Sequence, residues 1–180
     1  MKIKKFNSEF PPQNGVFIGM DPSLTSFGIC ALDIEGNYQA RVFSPQSRGP
    51  ERLAELKKHV EAFMADYSVI DVAMEGTVRQ SPAASVLGEV AGVMKEFVFS
   101  KYDITLMSVP PTRLKKYVTG RGTGASKDQI MLYVFKKWDA SIEDNNAADA
   151  YGVSRICAGL VGNEYEASVI LAQQDPKFRL

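Results

Sequence analysis

Residues 15–44, GVFIGMDPSLTSFGICALDIEGNYQARVFS, decide the fold. GVFIGMD is apolar, rich in strand-forming residues, and ends on an acid, Asp21. Pro22 and Ser23 then make a turn, and FGICALD (27–33) is a second apolar run. IEGN supplies a hairpin turn into YQARVFS, where apolar and polar residues partly alternate. Two antiparallel connections in so short a span predict a three-stranded meander.

Beyond the meander, Ser44–Gly49 is a polar loop, and Pro50 suits the first turn of a helix. Leu53, Leu56, Val60, Phe63 and Met64 form that helix's apolar stripe. SVIDVAME (68–75) is a short strand that again ends on an acid, Glu75, before the turn-like GTVRQSP. Residues 83–99 predict a helix that is apolar over much of its circumference, so it is either central or shared with a partner. Gly88 and Gly92 on it permit close backbone approach, either to the sheet or to a second copy. ITLMSVP is a fifth strand, and Pro110 and Pro111 open a short helix, PPTRLKKYV, that runs into TGRGTGAS. Ser126 is placed to N-cap a helix through Trp138, and Asn145 or Asn146 to cap a last long helix, AADAYGVSRICAGL. The order βββ-α-β-α-β-α-α predicts a mixed α/β domain over 1–180: a five-stranded sheet of meander plus parallel strands, flanked by helices. Its core spans about 15–160, with an N-terminal lead and a C-terminal tail holding one more helical stretch.

Composition narrows the chemistry. The 180 residues are 45% apolar and 23% charged, which is globular and too apolar for disorder. Two cysteines far apart, Cys30 and Cys157, cannot build a thiolate zinc site, and they read as buried thiols in a reducing cytoplasm. A single histidine, His59, removes His-based metal clusters and argues against a Ser-His-Asp triad. Catalysis, if present, falls to carboxylates. Nothing approaches 18 consecutive apolar residues, and the polar start, MKIKKFNSEFPPQNG, lacks the apolar run of a signal peptide; no membrane partner is expected. Formal net charge is zero, but residues 113–137 carry Arg113, Lys115, Lys116, Arg121, Lys127, Lys136 and Lys137 against Asp128 alone. Such a stripe suits an anionic partner, with a solvated helix face as the alternative.

Three acids stand in unusual places. If the strand ending at Glu75 runs parallel beside the one ending at Asp21, both carboxylates emerge at one sheet end. A helix crossing that end can add Asp149. Clustered carboxylates repel and imply a compensating cation, and an all-oxygen donor set suits Mg²⁺, with Mn²⁺ as substitute. Two such ions about 4 Å apart would activate water and stabilise the leaving oxygen in phosphodiester cleavage. The alternative is three ordinary turn and cap residues. Ser23, Thr25 and Ser26 either hydrogen-bond phosphate or stabilise their own turn. The glycine loop 120–124 lacks the GxxxxGK[ST] pattern, so no nucleotide cofactor is expected.

IGMDPSLTSFGICALD, VAMEG with the following SVLGEVAGVMK, VPPTRLKKYVTGRGTGASKDQI and NNAADAYGVSRI resemble, in order and spacing, the motifs of the RuvC family of Holliday-junction resolvases, a branch of the RNase H-like nucleases. The resemblance covers about residues 15–160. It implies an RNase H-like fold and a metal-dependent endonuclease, dimeric, acting on four-way DNA junctions. By position it implies Asp21, Glu75 and Asp149 as catalytic acids and metal ligands, with Lys115 and Lys127 on the DNA-binding and catalytic surface. Lys127 would stabilise phosphate charge or position the attacking water. Arg113, Lys116 and Arg121 would join them in holding backbone phosphates. Two places depart from the pattern. Asn146 stands where the family commonly has a fourth acid; its amide oxygen can ligate a cation without adding charge, and Asp144 is the other candidate to complete the metal site, or else merely caps the helix. Val78 stands where junction-contacting members carry an aromatic, which leaves Arg79 to contact phosphate. Other branched DNA or RNA substrates, and a non-catalytic junction binder on the same fold, remain as alternatives. Actin- and hexokinase-type ATPases share the Asp-turn-Thr opening but need two lobes and a longer chain.

Overall fold

The computed structural model describes residues 1–23, 25–76, 84–124 and 126–179, with Lys127 described by its backbone. Six strands form one sheet: β1 (Lys2–Asn7), β2 (Gly15–Asp21), β3 (Phe27–Leu32), β4 (Tyr38–Ser44), β5 (Ser68–Glu75) and β6 (Met107–Val109), in the order β1-β4-β3-β2-β5-β6. The meander β2-β3-β4 is antiparallel, and β5 and β6 join it in parallel, as expected. The sequence reading of five strands is corrected to six. The lead contributes β1, which pairs antiparallel with β4 along its whole length, from Lys2↔Ser44 to Asn7↔Gln39.

Helices α1 (Gly49–Met64) and α2 (Ala84–Tyr102) cover one face; α3 (Pro111–Thr119), α4 (Lys127–Trp138), α5 (Asn145–Cys157) and α6 (Glu164–Gln173) build the other. Strand alternation sorts the side chains between these layers. Val16, Ile18 and Met20 of β2 and Val72 and Met74 of β5 are buried against α1 and α2. Asp21 and Glu75, one residue beyond Met20 and Met74, therefore face the α5 side, where Ala73 packs.

Helix α5 lies against that face along nearly its whole length, and its Ala147, Ala148, Ala150 and Gly152 are small enough to allow it. Two sheet glycines complete the fit. A Cβ built at Gly28 would lie 2.6 Å from the Asn146 carbonyl carbon, and one at Gly19 would lie 2.9 Å from Ser154 Cα. Only hydrogen at these positions lets the helix backbone sit on the strands. Ser126 caps α4 through a capping box with Gln129, as its spacing predicts. The cap of α5 is Asp144 rather than either asparagine, because its carboxylate accepts the Asn146 N–H at 3.0 Å. Extended dihedrals at Asp144 leave Asn145 and Asn146 inside the first helical turn.

The tail closes the β6 edge. Arg179 bridges to Met107, pairs with Asp71 through both guanidinium nitrogens at 2.6 and 2.7 Å, and donates to Thr105 O at 3.1 Å. Both cysteines are unpaired and buried, and desolvation pushes the Cys30 thiol up to about 12. A thiol held protonated in this way is a packing group, not a nucleophile.

Candidate active site

The parallel register of β2 and β5 brings Met20 beside Met74, so the next residues, Asp21 and Glu75, leave the sheet as neighbours. The first turns of α5, lying across the β2 and β3 ends, deliver Asp149. The three carboxylates each present an oxygen, and these oxygens all lie within 4.8 Å of one another. Asp21 and Asp149 are 7% and 6% exposed, and Glu75 is half-buried at the mouth. Like charges crowded in so dry a place favour a cation among them. Three carboxylates offer hard oxygen donors, the set that suits a divalent ion of the Mg²⁺ or Mn²⁺ kind. The residues present fit such an ion.

A cavity of about 420 Å³ opens over the triad, and its walls include Ser23 of the β2–β3 turn, Pro111 and Lys115 of α3, and Asn146 of α5. Lys115 therefore stands where the sequence places it, at the carboxylate cluster, and Asn146 turns toward the same space. Ser23 joins the cavity wall as well, while Ser26 Oγ lies 3.5 Å from Ser44 Oγ, which ties the β2–β3 turn to the end of β4. Lys116 and Arg121 are exposed on α3 and just beyond it.

Other expected residues go elsewhere. Asp144 is not brought to the triad: one oxygen caps α5 and the other pairs with Lys4 Nζ of β1 at 2.7 Å. Arg113 turns to the C-terminal segment, donating to Ala172 O and Gln173 Oε1 at 3.0 and 2.9 Å and lying 4.0 Å over the Phe178 ring. Lys137, part of the basic stripe, pairs with the buried Glu166 of α6 and donates to Tyr117 O and Val118 O at the end of α3. Its charge holds α3 and α6 to α4. Val78 and Arg79 lie outside the described residues, as does the Lys127 side chain; Lys127 begins α4 immediately after the Ser126 cap.

The sequence reading missed Lys4, the partner of Asp144, and, among the cavity walls, Pro111. Lys4 was hidden because β1 is exposed on both faces and shows no amphipathic alternation. Pro111, a cavity wall, was read only as a helix opener; its place two residues after β6, whose Val109 pairs with Glu75, was the available signal.

The family model for crossover junction endodeoxyribonuclease RuvC matches residues 17–157. The crossover junction endodeoxyribonuclease RuvC of Rhodospirillum rubrum is 29% identical over 149 residues, covering 78% of this chain and 86% of that protein. The protein of the same name from Pelodictyon phaeoclathratiforme is 28% identical over 163 residues, covering 84% and 83%. Among solved structures, Thermus thermophilus RuvC in complex with Holliday junction substrate superposes with a TM-score of 0.65 at 23% identity, over 77% of this chain and 90% of that one. That likeness establishes a common fold, and the RNase H-like reading of the meander stands. With the acid triad at the paired strand ends and the family model running from β2 to the end of α5, this chain belongs to the RuvC crossover junction endodeoxyribonuclease family.

Proposed function

We propose that this chain is a Holliday-junction resolvase, a single nuclease domain that hydrolyses phosphodiester bonds of four-way DNA through Asp21, Glu75 and Asp149. The observation that carries the reading is the convergence of three carboxylates beside Lys115 in one open cavity, in a chain of this family. Mg²⁺, with Mn²⁺ as substitute, would supply Lewis acidity and a water ionised near neutral pH. Asp21, at the end of β2, would hold the ion together with Glu75 and Asp149, and the Asn146 amide oxygen would add a neutral donor. Lys115 balances phosphate charge at the cavity wall, and Lys127 is assigned a similar task from the start of α4. Lys116 and Arg121 hold backbone phosphates, and Arg79 is proposed to do the same.

The test is a panel of labelled four-way junction, duplex, flap and RNA–DNA hybrid, each with Mg²⁺ and with EDTA. The junction is expected to be cut with Mg²⁺ alone, at least tenfold faster than the other substrates. Equal cutting of the panel would replace this reading with a broader nuclease, and binding without cutting would make the chain a junction binder.

Incision of two opposed strands needs two sites related by a twofold axis, and we place a second copy of the chain on α2. In the structure Gly88 and Gly92 do not pack on the sheet: a Cβ at either meets nothing within 4 Å. Phe99, two turns beyond Gly92, is 58% exposed on the same side of the helix. Gly92→Leu is expected to yield monomers by light scattering with the melting temperature retained. Unchanged dimers would move the seam elsewhere. Among the described residues no helix is long and apolar enough to cross a membrane, and the reading puts the protein with DNA in the cytoplasm.

A further inference from the structure

The catalytic cavity has a neighbour. The turn after Asp21 separates the two: Ser23 lines the carboxylate cavity, and Thr25 lines a second, polar one of about 360 Å³. The second cavity is completed by Pro45, Gln46, Ser47, Arg48 and Arg52, from the loop that joins β4 to α1. Arg48 is exposed; Arg52, half-buried, donates to Ser47 O at 3.3 Å, which fixes the loop around it. Two guanidinium groups over a polar hollow are suited to phosphate oxygens.

The basic character continues along β1. Lys2 pairs with Ser44, the residue directly before the cavity wall, and Lys2, Lys4 and Lys5 are all exposed. Sheet register places Lys4 in line with the catalytic acid, through Lys4↔Val42, Val42↔Gly28 and Gly28↔Asp21. Three strand spacings of about 4.8 Å make a path of roughly 14 Å along the sheet end. The acids bordering this path are Glu51, Glu55 and Asp144. Glu55 accepts the Ser47 hydroxyl and lies 3.5 Å from the N-terminal ammonium, and Asp144 is paired with Lys4. Lys2, Arg48 and Arg52 leave the path with a surplus of positive charge, on the side of the catalytic cavity opposite Lys115. β1 lies before residue 17, where the match to the family model begins.

We infer that Arg48, Arg52 and Lys2 form a second phosphate track, which holds the backbone of a junction arm on the far side of the catalytic cavity from α3. This rests on the junction-resolvase reading above. A strand crossing the acids is thereby gripped on both flanks, by Lys115 and its neighbours on one and by the β4–α1 loop and β1 on the other. A lysine-bearing edge strand also deters edge-to-edge pairing, and that role alone predicts no effect on DNA.

The experiment measures affinity for a synthetic four-way junction in Ca²⁺ across a salt series, for wild type, Lys2→Ala/Arg48→Ala, Lys2→Glu/Arg48→Glu and Lys115→Ala, with a melt of each. The alanine pair is expected to weaken binding roughly tenfold or more near 0.1 M salt and to flatten the salt slope by about two units. The glutamate pair is expected to lose more, and melting temperatures to stay near wild type. Wild-type affinity and slope in both double variants, while Lys115→Ala flattens the slope, would overturn the track and leave the resolvase reading intact. A wild-type chain that does not bind the junction would instead bring down that reading.

Discussion

Asp21→Asn and Glu75→Gln are expected to bind a four-way junction and not to cut it. Each substitution preserves shape and removes one negative charge from a cluster whose oxygens lie within 4.8 Å of one another. The lost donor would weaken the hold on the proposed divalent ion, whose contribution at the scissile phosphate would be several kcal/mol, on the order of a thousandfold in rate. Binding responds in the opposite sense, since phosphates approach a less negative surface, so gel shifts in EDTA or Ca²⁺ show equal or tighter complexes. Mg²⁺-dependent cleavage within tenfold of wild type by either variant would remove that residue from the site.

Gly19→Ala is expected to unfold the protein well below the wild-type melting temperature. The added methyl falls against the Ala150 carbonyl, the Ser154 amide and, at 2.9 Å, Ser154 Cα, all of them backbone. No rotamer change relieves such a clash, so either α5 lifts or β2 bends. Overpacking of this kind costs about 3 kcal/mol or more, roughly 6–12 °C for a chain of this size. Gly28→Ala strikes the backbone of Asn146 and so shifts the end of α5 that carries Asp149; it is expected to cost activity beyond its effect on the melt. Gly88→Ala supplies the contrast, because its methyl meets nothing within 4 Å on a helix, and helix propensity makes it neutral or stabilising. A melting temperature for Gly19→Ala within 2 °C of Gly88→Ala, a bound of roughly 1 kcal/mol, would show that α5 does not need the close approach.

The central architecture and the acid triad were legible because they depend on local signals: apolar runs ending in acids, a hairpin turn, and capping chemistry at Ser126. Asp21 and Glu75 needed only the inference that their strands run parallel and adjacent. What stayed hidden depends on contacts between distant segments. β1 has no buried face to impose a period of two, and its lysines read as a solvated lead. Asp144 could be weighed as metal ligand or cap from sequence, but the partner for its second oxygen, Lys4, lies 140 residues away. Arg113 and Lys137 looked like members of one basic stripe; α6 and the tail, folding back on α3, engage them instead. A run of charge in sequence is therefore divided by the fold into cations that face the cavity and cations that fasten helices.

The two rims of the sheet carry a consequence for how copies of the chain meet. With equal numbers of acids and bases, the molecule has no overall repulsion to keep neighbours apart in solution. The short β6 rim is shielded by the residues around Arg179, clamped to Asp71. The long β1 rim is left open but presents lysines to any strand that approaches in register. Stray pairing is discouraged at one rim by cover and at the other by charge. The seam proposed around Gly88 and Gly92 of α2 would then join two copies without competition from the sheet edges.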